Sequence, residues 1–255
     1  MTKFPKNRDI SGGRHFKNAC YLSVIWIIML NSCETKTPLF KKLNANHTGI
    51  HFKNEITEDS IHNILNFTNL YTGSGVGITD FNKDGLPDIF LGGNMESSRL
   101  YLNKTCPDLS RSLGDCSGGE LQFEDITQKA GIETDRWITG VAIADVNGDT
   151  WQDIYLSVSG NASAEKRKNL LCINQQNNTF KEQAEEYGIA DTAQCTHANF
   201  LDYDKDGDLD FFVIINPTDY KLFNVNNIRP KKVKGEALST DKLYRNNGDG
   251  TFSDV

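Results

Sequence analysis

The chain has 255 residues, enough for one large domain or two small ones, and 38% hydrophobic with 24% charged residues is the composition of an ordinary folded domain. Its formal charge of −7 argues against a nucleic-acid partner, which would need a basic face. Fourteen Phe and eight Tyr, with few long helical patterns, favour β structure, where aromatic rings fit the pleated surface.

Residues 1–32 read as a leader rather than part of the fold. Lys3, Lys6, Arg8, Arg14 and Lys17 precede an apolar run of 12 residues, Ala19–Leu30, too short to span a bilayer as a helix but suited to a signal-peptide core. The segment closes Leu30-Asn31-Ser32-Cys33, which resembles a bacterial lipobox with Cys33 as the lipidated residue. The expectation is an exported protein anchored by lipid at the outer membrane or cell surface. The leader takes five of the 27 basic and one of the 34 acidic residues with it, leaving residues 33–255 at −11. Residues 33–70 read as an N-terminal linker and strand.

Residues 71–255 are organised by a repeat, in units of about 71–127, 128–184 and 185–255. Asp80-Phe-Asn-Lys-Asp-Gly-Leu-Pro-Asp88 recurs 65 residues later as Asp145-Val-Asn-Gly-Asp-Thr-Trp-Gln-Asp153, and 57 after that as Asp202-Tyr-Asp-Lys-Asp-Gly-Asp-Leu-Asp210. Phe123-Glu-Asp-Ile-Thr matches Phe180-Lys-Glu-Gln-Ala, and each is followed by a Gly, Gly131 or Gly188, that lies 14 residues before the next Asp loop. A degenerate earlier copy runs from Phe40 to Gly49-Ile50. Leu100-Tyr-Leu-Asn103 is echoed by Leu170-Leu-Cys-Ile-Asn174 and Leu243-Tyr-Arg-Asn246. In the first unit the predicted strands are Val76–Thr79, Asp88–Leu91, Arg99–Leu102 and Gln122–Ile126, separated by turn residues. Runs such as Val141-Ala-Ile-Ala are apolar throughout, as strands buried on both faces are. Four-stranded units at about this period suggest an all-β propeller with about three blades present; a linear β-array is the runner-up. The last unit ends at Phe252-Ser-Asp-Val255, the opening of a fourth strand, so the expectation is an incomplete propeller from a longer protein.

The Asp loops point to calcium, which takes about six to eight oxygen ligands from a flexible loop. Loop positions 1, 3, 5 and 9 supply side chains and position 7 a carbonyl. The first site would use Asp80, Asn82, Asp84, Leu86 and Asp88, and the second Asp145, Asn147, Asp149, Trp151 and Asp153. The third would use Asp202, Asp204, Asp206, Asp208 and Asp210. Gly85 and Gly207 hold position 6, where the turn needs permissive φ; the second loop has Thr150 there and Gly148 at position 4, which marks it as the weakest site. The third, with four side-chain carboxylates, is the strongest. Plain hairpin turns would give no reason to crowd carboxylates that repel one another. An EF-hand is disfavoured, because Leu91, Leu156 and Val213 stand where its position-12 Glu belongs. Asn246–Gly250 lacks the alternating carboxylates and reads as a turn. Cys106 and Cys116, nine residues apart in a polar loop of an exported protein, suggest a disulfide; Cys172 and Cys195 could pair or stay buried thiols.

These elements resemble the FG-GAP/VCBS repeat family, from about Pro38 to Val255, most clearly in Gly75–Asn94, Leu100-Tyr-Leu-Asn103 and Phe123-Glu-Asp-Ile-Thr127. The order lipobox, Thr48-Gly-Ile, repeats is similar to surface lipoproteins with a later ASPIC and UnbV domain, the cartilage acidic protein-like group. The resemblance implies a propeller with calcium in its blade loops, adhesion or binding of a surface glycan or protein, and no established catalysis. The literal FG and GAP dipeptides are missing, so integrin-type ligand binding is not implied. The rivals are a calcium-stabilised propeller enzyme acting on polysaccharide, or a structural part of an outer-membrane assembly. Among His47, His51, His62 and His197, only His197 falls inside a repeat, and it reads as a strand residue rather than a general base; Trp137 and Trp151 read as core before sugar platforms.

Overall fold

The computed structural model describes residues 39–67, 69–105, 121–160, 163–216 and 240–255. The leader, Cys33, and Cys106 and Cys116 lie outside the described residues. The chain forms two units, Met1–Lys42 and Leu43–Val255, and every described strand belongs to the second.

Three four-stranded antiparallel sheets follow one another along the chain, each a meander in sequence order. The first holds β1 (Val76–Thr79), β2 (Asp88–Leu91), β3 (Arg99–Asn103) and β4 (Phe123–Asp125). The second holds β5 (Ile138–Ala144), β6 (Asp153–Val158), β7 (Leu170–Asn174) and β8 (Phe180–Glu182). The third holds β9 (Cys195–Leu201), β10 (Asp210–Ile215), β11 (Lys242–Asn246) and β12 (Phe252–Asp254). The fold is the all-β, blade-like repeat expected from the sequence. Each Asp loop joins the first two strands of its sheet, and the turn at Asn247–Thr251 joins β11 to β12.

The segment before β1 differs from expectation. No strand forms among its described residues; Ala45–Thr48 make a helical turn, α1, capped by Gly49 at φ 77°. Thr127–Ala130 make the equivalent turn, α2, capped by Gly131 at φ 69°. The degenerate first copy thus shares the local geometry of the later one. Beyond it the apolar residues lack strand alternation, and Phe67 and Leu70 pack instead on Trp137.

Period-two alternation divides the two middle strands of the second sheet between two cores. In β6, Ile154, Leu156 and Val158 join Phe90, Leu100 and Leu102 of the first sheet, while Tyr155 faces Phe211, Val213 and Tyr244 of the third. Phe211 is the hub of the second seam, with ring centroids of Tyr155 at 4.4 Å and Phe200 at 4.9 Å. Cys172 and Cys195 fall one in each core as buried free thiols, and burial pushes both up to about 12.

Close approach of β1 to β5 depends on glycine. A Cβ at Gly75 would stand 2.4 Å from the Val141 backbone nitrogen, and one at Gly77 2.6 Å from Ile143 Cδ1. Val76 and Ile78, the counterparts of Val141 and Ile143 at the 65-residue offset, point to the other face and are 56% and 64% exposed. Gly75→Ala forces two backbones apart and should cost on the order of 1–3 kcal/mol. Its melting temperature should fall clearly below that of Gly73→Ala, where a Cβ meets nothing within 4 Å although φ is 80°.

Candidate metal centre

The three Asp loops turn at the same two positions. Positions 4 and 6 have positive φ in every loop: Lys83 and Gly85 at 59° and 86°, Gly148 and Thr150 at 72° and 72°, Lys205 and Gly207 at 66° and 99°. Thr150 therefore changes the residue but not the conformation, and a β-branched side chain is held where glycine is favoured. Lys83 spans to this second loop, with Nζ donating to Thr150 Oγ1 at 2.6 Å and lying 4.5 Å from the Trp151 ring centroid.

Position 9 is the deepest part of each loop. Asp88, Asp153 and Asp210 are fully buried. One oxygen of each accepts the position-2 N–H, from Phe81 at 2.8 Å, Val146 at 2.9 Å and Tyr203 at 2.9 Å. The other accepts a third-strand N–H, from Asn103 at 2.8 Å, Asn174 at 2.8 Å and Asn246 at 2.9 Å. A buried carboxylate is tolerated when hydrogen-bonded in this way. The same asparagines reach back: their side-chain N–H groups donate to the position-8 carbonyls of Pro87, Gln152 and Leu209 at 3.1, 3.3 and 3.3 Å. Their Oδ1 atoms accept from Thr105, Gln176 and Gly248. Asn174 Nδ2 also donates to the Phe81 carbonyl at 2.9 Å, binding the second sheet to the first loop. These three asparagines are the functional residues that sequence reasoning missed; the signal was the Asn that closes each recurrent third-strand element.

The outer carboxylates differ between loops. In the third, Asp202, Asp204 and Asp210 bring one oxygen each to within 4.8 Å of one another, a group that could hold a cation. Asp208 Oδ1 is buried without a hydrogen-bond partner. Burial first, then the neighbouring Asp206, push its carboxyl up to about 6. In the first two loops, Asp80 and Asp145 are engaged by N–H groups of positions 5 and 6, and the position-3 amides of Asn82 and Asn147 donate to Asp84 and Asp149. An amide at position 3 thus ties down a carboxylate that an aspartate there would repel. Leu86, Trp151 and Asp208 each donate their N–H to the position-5 carboxylate, so all three occupy matching places in the turn.

Asp153→Asn retains the shape of the staple but exchanges one acceptor oxygen for a donor, leaving a buried N–H opposed. The expected loss is about 1–3 kcal/mol, read in a denaturant melt without added metal. The pH response has a definite sign. Burial outweighs the N–H donors at Asp88 and Asp153 and raises both to about 6 from the ordinary 3.8. Their contribution to folding is complete below pH 3.8 and is lost as pH rises through about 6. The metal-free protein should therefore lose stability between pH 4 and pH 7, as thermal melts across that range would show.

No curated protein matches the chain. Residues 80–156, from Asp80 through the rest of the first sheet to Leu156 in β6, match the family model of the FG-GAP-like repeat, which takes in the first two Asp loops.

Proposed function

We propose that this chain is a calcium-stabilised repeat module of an exported, lipid-anchored surface protein, serving adhesion or ligand binding rather than catalysis. The observation that carries the reading is the convergence of Asp202, Asp204 and Asp210 in a loop whose positive-φ positions recur in the other two. Clustered carboxylates repel one another unless a cation is present. The buried, unpartnered Asp208 Oδ1 is a further oxygen in the same loop.

The third loop would hold the ion through Asp202, Asp204, Asp206 and Asp210 with the Asp208 carbonyl. The first would use Asp80, Asn82, Asp84, Asp88 and the Leu86 carbonyl; the second would use Asp145, Asn147, Asp149, Asp153 and the Trp151 carbonyl. The position-9 oxygens retain lone pairs beyond those that accept N–H groups. When bound, calcium neutralises the crowded carboxylates and ties the two strands of the hairpin together. The FG-GAP-like repeat supports the binding role. His197 lies within β9, paired with Ile214, in keeping with a structural part. Export and lipid anchoring rest on the leader and Cys33.

Calcium at a hundredfold excess over its Kd should add about 2.7 kcal/mol at a fully coupled site, raising the melting temperature by several degrees, and EDTA should reverse it. Asp202→Asn with Asp204→Asn should remove the third loop's share of the response. A melt indifferent to both calcium and EDTA would falsify the metal assignment.

A further inference from the structure

A cleft of about 350 Å³ opens where the segment before β1 meets the first two sheets. Its walls come from four pieces of chain: Asp59 and His62, the β2–β3 loop at Met95, residues 135–137 leading into β5, and the β6–β7 connection at Lys166. All the sheet loops involved lie at the ends of β2, β5 and β6 remote from the Asp loops, because each Asp loop joins the opposite ends of those strands. Cleft and metal loops are therefore separate sites.

The cleft is built rather than incidental. Asp59 accepts the N–H groups of Ile61 and His62 at 2.7 and 2.6 Å and pairs with the His62 ring at 3.1 Å. That ring lies parallel to Trp137, 9° between planes at 6.3 Å, and Phe67 meets Trp137 edge-on at 5.1 Å. On the other side Gly160 lies so close that a Cβ there would be 2.9 Å from Trp137 Cβ. The indole is thus held between fixed neighbours and is 8% exposed. Its Nε1–H is buried with no hydrogen-bond partner. Buried donors are nearly always satisfied, so an orphan in a cleft wall needs an acceptor from elsewhere.

The rest of the lining describes the ligand. Asp59 and Asp135 are balanced by Arg136 and Lys166, and Lys166 lies 3.9 Å from Asp135. No uncompensated charge is left to select a net anion or cation. What the wall offers is donors and acceptors side by side, with the apolar surface of Met95 between them. A sugar matches this pattern: each hydroxyl donates and accepts at once, and the ring carries apolar C–H faces. The volume is at the small end for ligand sites, the scale of one or two sugar rings.

We propose that this cleft binds a neutral carbohydrate of one or two hexose units, with the Trp137 indole N–H donating to it. The inference deepens the ligand-binding reading and rests on it, but not on calcium. The test titrates the full chain, loaded with calcium, with neutral hexoses and their disaccharides, followed by saturation-transfer NMR and tryptophan fluorescence. Trp137→Phe retains an aromatic ring and deletes the donor, and should weaken binding about tenfold. Should that variant fold poorly, Asp135→Asn with Lys166→Gln decides, since both side chains are largely exposed and should weaken binding without altering the melt. Parental affinity in the double variant, no binding of any neutral sugar at millimolar concentration, or tighter binding of a hexuronate or a short peptide would each overturn the proposal. A calcium-responsive melt without sugar binding removes the cleft assignment alone; sugar binding without a calcium response removes the metal assignment alone.

Discussion

Each sheet depends on one buried carboxylate. Asp88, Asp153 and Asp210 sit at the mouth of their hairpins, fully withdrawn from water, with both oxygens accepting backbone N–H groups. One donor comes from the start of the Asp loop and the other from the end of the third strand. The staple therefore fixes the first, second and third strands relative to one another through a single side chain. A buried charge with such partners is tolerated, whereas any residue there unable to accept twice leaves a buried donor unsatisfied.

The outer half of each loop is free to vary because the inner half is fixed. Positive φ at positions 4 and 6 recurs in all three loops, even where Thr150 replaces glycine. On that shared frame, an aspartate or an asparagine at position 3 sets the electrostatics. Asn82 and Asn147 turn their amides toward the position-5 carboxylate and relieve crowding locally. Asp204 cannot, and its carboxyl is raised by burial and then by Asp206. The third loop is thus where the carboxylates are least relieved by neighbouring amides, and it is where three of their oxygens converge in a group that could hold a cation.

Packing between sheets follows a different rule, the close approach allowed by small residues. Gly75 and Gly77 admit Val141 and Ile143, and Gly140 admits the β9 backbone at Thr196 and His197. His197 and Asn199 occupy the places of Gly75 and Gly77 in the third sheet at the combined offset of the repeats. The His197 ring lies against the second sheet, its Nδ1 2.9 Å from where a Gly140 Cβ would stand, while Val76 and Ile78 leave the other face of β1 apolar and exposed.

The sequence alone determined the three sheets of the described residues, the strand positions of the first unit nearly to the residue, and the placing of each Asp loop between the first two strands of its sheet. Those features are local, set by alternation and by turn residues with fixed spacing. It also determined that Asn103, Asn174 and Asn246 recur, but not why. Their partners are 15, 21 and 36 residues away and become visible only once the strands pair. That no strand forms among the described residues before 70 was illegible for a related reason. Phe67 and Leu70 carry no periodic pattern, and their place is set by the Trp137 ring across the seam. The cleft was likewise decided by tertiary structure. Asp59, Met95, Trp137 and Lys166 are dispersed over more than a hundred residues, and only the packing of two sheets and the preceding segment brings them together.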